Sequence, residues 1–179
     1  MRQQRTSVWR READPHASHF RPVAGRSFSM FSRGILECSM LTGRCLCGAC
    51  TYEIDGEPVV VAHCHCADCQ RLSGAGHTTG AMFAESGVRM KGAISTYEMT
   101  SGAGNVVTRL FCANCGSPLF GRNSGMPGFV TATAGTLDQS ETLSPTVAIF
   151  ARNRRPWDTM DPSLSSFEAQ PAWKPTDGS

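Results

Sequence analysis

Cysteine is the residue type in this chain that is most capable of chemistry, with nine in 179 residues. Cys-x-x-Cys spacing lets a tight turn bring two sulfurs to about 2.3 Å from one metal ion. Such clustering favours metal binding over a role as small buried hydrophobes. Three clusters have suitable spacing, namely Cys45-x-Cys47, Cys64-x-Cys66-x-x-Cys69 and Cys112-x-x-Cys115, the last followed by Gly116, which supplies the left-handed backbone that such a turn needs.

Two of these clusters contain Cys-x-Cys, which predicts an extended segment. Residues i and i+2 share one face of a strand. Cys45 and Cys47 are therefore expected to point together, with Leu46 pointing away. The same parity places Cys64 and Cys66 on one side and His65 on the other.

Counting ligands predicts one closed and one open metal site, because four protein ligands close a zinc site and three leave a position for water or substrate. The closed set is Cys45, Cys47, Cys112 and Cys115, and the open set is Cys64, Cys66 and Cys69. Spacing alone does not dictate this pairing, since the second and third clusters could also form a four-thiolate site. A further alternative is two structural sites, with His63, His65 or His77 completing the second.

The two remaining cysteines fit neither set. Cys50 has the wrong strand parity for Cys45 and Cys47, so it is expected to pack in the core. Cys38 lies in the N-terminal segment and is expected to be a free thiol.

An open site with three thiolates favours thiol chemistry. Three thiolates give a Zn²⁺ site a net charge of −1, which weakens its Lewis acidity and disfavours a strongly activated hydroxide. A soft substrate thiolate is the more natural fourth ligand, and a thiolate is the nucleophilic form of a thiol. Candidate proton carriers are His63, His65 and Asp68, and Arg71 either meets a substrate carboxylate or is a solvated surface residue.

The elements that must position these residues read as mainly β. Short runs rich in Val, Ile, Thr, Tyr and Phe alternate with Gly, Pro, Ser and Asn. Helical turns are predicted only at 67–72 and 138–142. The predicted strands are 49–54, 58–64, 78–83, 93–99, 105–112, 128–132 and 146–151.

Charge and composition indicate where the ordered domain begins. Residues 1–38 carry seven arginines, no lysine and three acidic residues, whereas 39–179 have a net charge of −2. We expect 1–40 to be a disordered extension, a transit peptide or a product of a start codon assigned too far upstream, with Met40 as the true start. The domain is predicted over 41–170, followed by a flexible tail at 171–179.

The N-terminus lacks the apolar segment of a secretory signal, which favours a reducing cytoplasm and disfavours disulfides. No apolar run approaches the roughly 20 residues that a transmembrane helix needs, so no membrane partner is expected. Seven arginines without a recognition motif or spaced aromatic residues also predict no nucleic-acid partner. The sequence carries no signal for an oligomeric state.

The cysteine motifs together resemble the glutathione-dependent formaldehyde-activating (GFA) family. The resemblance spans residues 41–170 and includes 43–48, 64–69, 111–117, 134–138 and the Arg155-Pro156-Trp157 stretch. It implies a zinc-bearing β-tent of small antiparallel sheets. It also implies two zinc ions per chain, a structural one on Cys45, Cys47, Cys112 and Cys115 and a catalytic one on Cys64, Cys66 and Cys69.

The activity implied by the resemblance is that of a carbon–sulfur lyase. Glutathione and formaldehyde would be the partners, giving S-(hydroxymethyl)glutathione, or a related thiol and small carbonyl would react in the same way. Members of the family often carry His where this chain has Ala148. The alternative function is a non-catalytic zinc scaffold, which a fourth protein ligand at the second site would favour, and four-thiolate sites also accept iron.

Overall fold

A computed structural model describes residues 40–172, which form a mainly β structure with one α-helix. The predicted extension up to residue 39 and the last part of the predicted tail, 173–179, lie outside the described residues. Met40 belongs to the first strand. The helix α1 spans Ala67–Ser73, and the strands are β1 Met40–Arg44, β2 Thr51–Asp55, β3 Val60–Cys64, β4 Thr78–Ala84, β5 Val88–Lys91, β6 Ile94–Thr100, β7 Val106–Cys112, β8 Pro118–Asn123, β9 Phe129–Thr133, β10 Val147–Ile149 and β11 Ser165–Phe167.

The strands form two sheets. The small sheet is antiparallel, in the order β1-β2-β5, and the large sheet has eight strands in the order β11-β10-β3-β4-β9-β8-β7-β6. The large sheet is mixed, because β10 pairs in parallel with both β3 and β11. The mainly β prediction is thus confirmed, with a second sheet larger than the small sheets that the resemblance implied.

Each of the seven predicted strands overlaps a strand of the structure, and four strands were missed: β1, β5, β8 and β11. Local sequence hides them. Gly43 lies inside β1, where a Cβ atom would lie 2.1 Å from Cζ of Tyr52, so only glycine lets that ring approach. Strand β8 begins at Pro118 and contains Gly121, two residue types that are uncommon in strands, so its sequence does not resemble one. Strand β11 is wholly exposed, so it has no buried alternation to detect.

The core lies where side chains of the small sheet meet those of the large sheet. Tyr52 and Ile54 alternate with exposed or half-buried residues along β2, as one buried face of a strand requires. The ring of Tyr52 packs edge-on against Phe120, with centroids 4.7 Å apart. Burial of a large apolar side chain stabilises the fold by about 1.5–3 kcal/mol. The cluster is completed by Phe83, Leu110, Leu119, Val130 and Leu137.

Two 3₁₀ turns connect β9 to the segment before β10, at Ala134–Thr136 and Ser140–Thr142. The second overlaps the helical turn predicted at 138–142. Two further 3₁₀ turns occupy Glu85–Gly87 and Ala151–Asn153. No helix among residues 40–172 has the length and apolar character needed to cross a membrane.

Candidate functional site

The structure brings four cysteine sulfurs together from two distant parts of the chain. Cys45 and Cys47 follow β1, whereas Cys112 ends β7 and Cys115 lies in the turn after it. The sulfurs of Cys45 and Cys47 are 3.5 Å apart, and those of Cys47 and Cys112 are 3.8 Å apart. Tetrahedral zinc with bonds of about 2.3 Å separates its sulfur ligands by about 3.8 Å. These four side chains, the four-cysteine cluster, fit a zinc ion.

Cys45 and Cys47 lie in a turn, so the extended segment predicted here is wrong. Strand β1 ends at Arg44, and the amide of Gly48 donates to the carbonyl of Cys45 at 3.0 Å. Gly48 has φ +73°, which glycine adopts without strain. Leu46 is 89% exposed, so it does point away from the sulfurs as expected, but because of the turn.

The second half of the four-cysteine cluster has a matching turn. The Gly116 amide donates to the Cys112 carbonyl at 2.9 Å, and Gly116 has φ +73°, as the motif predicted. A side-chain hydrogen bond with Ser117, followed by backbone hydrogen bonds, lowers the pKa of Cys115 to about 5. The side-chain amide of Asn114 donates to the sulfur of Cys47 at 3.3 Å. These donors favour the thiolate forms that a metal needs.

Cys50 packs in the core as expected, although the strand parity on which that expectation rested does not hold, because residues 46–50 form a turn. It is 1% exposed, and its thiol donates to the carbonyl of Ala93 at 3.2 Å. Burial, together with hydrogen bonding to Cys112, raises its pKa to about 12, so it stays a thiol at neutral pH. Its backbone amide donates to the sulfur of Cys45 at 3.2 Å. Cys38 lies outside the described residues.

A second group, the three-cysteine cluster, is built within one short segment. Cys64 ends β3, Cys66 caps the N-terminus of α1, and Cys69 lies buried in the first turn of that helix. The sulfur of Cys66 accepts the backbone amide of Cys69 at 3.4 Å. Among residues 40–172, no other Cys, His, Asp or Glu ligand atom joins these three within 4.8 Å.

The three thiols of this cluster share charge unequally. Hydrogen bonds from Cys64 and then from Cys69 lower the pKa of Cys66 to about 2. The same hydrogen bond to Cys66 raises the pKa of Cys64. For Cys69, a hydrogen bond with Cys64 lowers the pKa, but Cys66 and burial outweigh it and raise it. These opposite shifts concentrate negative charge on Cys66, and a bound cation would stabilise the thiolate forms of all three sulfurs.

Arg109 faces the three-cysteine cluster and was missed in the sequence. It lies on β7, and its Nη2 donates to the sulfur of Cys69 across a long 4.0 Å. Its charge acts to lower the pKa of Cys69. Gly121, its register partner on β8, leaves room for the guanidinium, because a Cβ atom there would lie 2.9 Å from Nη1. The only sequence signal is a single basic residue within the largely apolar run of β7.

Gln70 holds the three-cysteine cluster against the segment that follows β10. Its Nε2 donates to the carbonyls of His65 at 2.7 Å and Asn153 at 2.9 Å. Its Oε1 accepts Nε of Arg155 at 2.8 Å. All three hydrogen bonds of this side chain thus go to the backbone of His65 or to the 153–155 segment. Its position directly after Cys69 is the sequence signal that could have identified Gln70 as part of the site.

The candidate proton carriers lie in different surroundings. Nδ1 of His63 contacts the hydroxyl of Thr79 at 2.9 Å, and burial, then the nearby ring of His77, lowers its pKa. His65 is 1% exposed and points away from Cys64 and Cys66, as parity predicted, toward Asp158. Asp68 pairs with Arg71 at 3.5 Å on the surface, and the Arg71 side chain is 78% exposed.

The position at which the chain departs from the family pattern lies beside His63. Ala148 on β10 is fully buried and is the register partner of His63 on β3. A buried alanine here offers no ring nitrogen next to His63.

Comparison with known families decides the relationship. The sequence model of the glutathione-dependent formaldehyde-activating enzyme family matches residues 40–153, which contain both cysteine clusters. The chain belongs to this family. The match ends before the Arg155-Pro156-Trp157 stretch, which therefore lies outside the matched region.

Comparison with curated proteins found no match. Among solved structures, one similar chain is a crystal structure of a Rhodobacter sphaeroides protein, with 21% identity and a TM-score of 0.46, covering 58% of this chain and 97% of that one.

Proposed function

We propose that this GFA-family protein is a carbon–sulfur lyase that joins a thiol to a small carbonyl and reverses that reaction. The substrate pair we propose is glutathione and formaldehyde. The sulfur of the thiolate forms a bond to the carbonyl carbon, the carbonyl oxygen takes up a proton, and S-(hydroxymethyl)glutathione results. In the reverse direction the carbon–sulfur bond breaks and the thiol recovers its proton.

The observation that carries this proposal is the ligand count of the three-cysteine cluster. Three sulfurs converge there, and the described residues supply no fourth ligand. Cys64, Cys66 and Cys69 would hold a zinc ion, which when bound would keep a substrate thiol in its nucleophilic thiolate form. Three soft sulfur donors suit zinc. We assign the four-cysteine cluster to a structural zinc, giving two per chain.

The side chains around the cluster have separate roles in this proposal. Arg109 supports the thiolate of Cys69 and places a positive charge beside the accumulated negative charge of the sulfurs. Gln70 fixes the loop that carries Cys66. His63 is adjacent to Cys64 on β3 and therefore points to the opposite face, where it contacts Thr79 and the ring of His77, so we assign it no proton-transfer role at this cluster.

The need for reduced cysteines indicates the cellular compartment in which the protein works. All eight cysteines within residues 40–172 are free thiols. Both clusters need their sulfurs reduced in order to bind metal, and a reducing compartment maintains them so. We therefore place the activity in the cytoplasm.

The alternative function is a zinc scaffold without catalysis. The two proposals differ in what the three-cysteine cluster does, since a scaffold needs only a filled and closed site. The open ligand count favours the lyase.

An exchange experiment tests the lyase directly. Full-length protein loaded with zinc is added to glutathione and ¹³C-formaldehyde, and the interconversion rate of free and S-hydroxymethyl glutathione is followed by NMR exchange spectroscopy. We expect the protein to accelerate the exchange above the uncatalysed rate. Cys69→Ser should abolish the acceleration, and Cys50→Ser should retain it, because the Cys50 thiol lies outside both clusters. A zinc-loaded wild type that does not accelerate exchange with glutathione or with other small thiols supports the scaffold.

A further inference from the structure

A third group of side chains converges without any cysteine. We propose that His65, His77 and Asp158 bind a divalent first-row transition-metal cation at a site separate from both cysteine clusters. His65 lies between β3 and α1, His77 directly precedes β4, and Asp158 lies in the segment after β10. No sequence motif groups these three residues, because 81 positions separate His77 from Asp158.

The distances in this third cluster fit metal ligands. Nδ1 of His65 lies 3.1 Å from Oδ2 of Asp158, and Nδ1 of His77 lies 2.9 Å from the same oxygen. An ion with bonds of about 2.1 Å holds two ligands at right angles about 3.0 Å apart. Each imidazole nitrogen therefore has the separation from the carboxylate oxygen that neighbouring ligands of a six-coordinate ion have, and all three donor atoms lie within 4.8 Å of one another.

Hydrogen bonding explains only part of this cluster. His77 makes hydrogen bonds to both carboxylate oxygens of Asp158, at 2.9 and 3.1 Å. His65 is 1% exposed, yet among residues 40–172 neither of its ring nitrogens makes a well-aligned hydrogen bond, and the ring has only a weak interaction with the backbone of Gly76 besides Asp158. Its Nδ1 is close to the carboxylate but is not aligned for an N–H···O bond. Leaving a buried polar atom unpaired destabilises the folded state. A cation between the three side chains gives Nδ1 a partner.

The surroundings hold Asp158 in place and leave a path for an ion. Gly76 makes room for the carboxylate, because a Cβ atom there would lie 2.3 Å from Cγ and from Oδ2 of Asp158. The guanidinium of Arg154 donates to the Asp158 carbonyl at 2.7 Å. The side chains of Asp158 and His77 are 11% and 26% exposed. Water can therefore reach the open side of the site and complete the coordination.

The donor set also predicts a different metal preference from that of the sulfur clusters. Two imidazoles and one carboxylate suit Zn²⁺, Co²⁺, Ni²⁺, Fe²⁺ or Mn²⁺, whereas soft thiolates select zinc and similar soft ions. A bound ion would have a mechanical consequence as well. It would join the 154–158 segment to the loop between Cys64 and Cys66, and so fix the orientation of that loop.

Cobalt titration tests this site without reference to activity. Reduced full-length protein is refolded at increasing Co²⁺ concentrations, so that cobalt fills the cysteine clusters as the chain folds, and total bound cobalt is compared with the sulfur-to-cobalt charge-transfer absorption. We expect three equivalents to bind, the third without any increase in charge transfer. His77→Gln and Asp158→Asn should each weaken this third equivalent by more than about 100-fold, since loss of an outer-shell partner alone costs 10–100-fold. The charge-transfer bands of both variants should remain, which shows that they fold.

A matched control removes the same charge outside the cluster. Asp161 accepts the amide of Ser163 and is not one of the three ligands, so Asp161→Asn should still bind three equivalents. If the wild type binds only the cobalt equivalents that produce charge-transfer absorption, the proposal is overturned. His65, His77 and Asp158 are then a hydrogen-bonded group without a metal. Retention of the third equivalent in both His77→Gln and Asp158→Asn overturns it equally.

Discussion

The two cysteine clusters use the same ligand and connect the chain in opposite ways. The four-cysteine cluster joins the turn after β1 to the end of β7, across 65 positions between Cys47 and Cys112. The three-cysteine cluster is contained between Cys64 and Cys69, on one strand end and one helical turn. A metal in the first would cross-link two sheets, whereas a metal in the second would close no long loop.

Because of this difference, we expect the four-cysteine cluster to serve folding stability and the three-cysteine cluster to serve the reaction. A metal ion that joins distant segments contributes its binding free energy to folding, of order 10 kcal/mol in small zinc modules. A metal ion on a local segment adds little of this kind, so its site is free to keep an open position. The surroundings differ in the same way. A charged side chain, Arg109, faces the three-cysteine cluster from another strand, whereas the four-cysteine cluster accepts neutral donors, the Cys50 amide and the Asn114 side chain.

The largest effect should come from Cys115→Ser. Loss of one ligand from the four-cysteine cluster removes a contribution comparable to the whole stability of a domain, about 5–15 kcal/mol. We expect unfolded or aggregated protein, measured by thermal melts and zinc content. A folded and active Cys115→Ser variant would mean that the structural and catalytic assignments are reversed.

Cys69→Ser should leave a folded protein that has lost its activity. The expected result is one zinc fewer per chain than in the wild type, a melting temperature close to that of the wild type, and at least about a 100-fold loss of exchange rate, since even outer-shell changes cost 10–100-fold. The same melts and metal analysis compare it with Cys115→Ser. If Cys69→Ser unfolds as readily, both metals are structural and the contrast between the clusters disappears.

Arg109→Met should reduce the exchange rate by about 10–100-fold with zinc content unchanged. A preorganised charge beside the reacting centre contributes on this scale. Arg109→Lys should recover part of the loss, because it keeps the charge, and a purely packing role for Arg109 predicts no such recovery. The matched control is Arg122→Met on the neighbouring β8, where the arginine pairs with Glu85 instead and activity should be kept.

Tyr52 connects the two sheets without metal, and its stability contribution should depend on pH. Burial raises the pKa of Tyr52 to about 12, although its hydrogen bond with Thr136 opposes this. The folded state therefore retains the proton after the unfolded chain begins to lose it near pH 10, so stability falls as the pH rises from about 10 to about 12. We expect the unfolding free energy of Tyr52→Phe, measured by urea melts, to fall less steeply with pH in this range than that of the wild type. An equal pH dependence in the variant and the wild type would mean that Tyr52 has the same pKa in the folded and unfolded states.

The smallest effect should follow removal of residues 1–39. The family match begins at residue 40, and β1 begins at Met40. We expect protein starting at Met40 to fold, to bind the same metals and to melt close to the full chain. Insolubility or loss of zinc in the shorter protein alone would place the N-terminal segment within the domain.

Several features could be predicted from the sequence because they depend on neighbours in the chain. Short runs rich in Val, Ile, Thr, Tyr and Phe between Gly, Pro, Ser and Asn indicated seven strands, and the helical turn predicted at 67–72 coincides with α1. Parity placed His65 opposite Cys64 and Cys66, since those residues lie in extended backbone. The position of Gly116 after Cys115 indicated a turn of left-handed conformation, which the structure has.

Other features needed the tertiary structure. Ligand spacing left two pairings of the cysteine clusters open, and only the packing of the small sheet against the large one brings Cys45 and Cys47 to Cys112 and Cys115. The same folding carries Arg109 to Cys69 and Asp158 to His65 and His77. Sequence patterns report which face of its own element a residue occupies, whereas long-range contacts depend on which elements pack together. The chemistry of the cysteines was therefore readable from the chain itself, and the residues that surround them were decided by the fold.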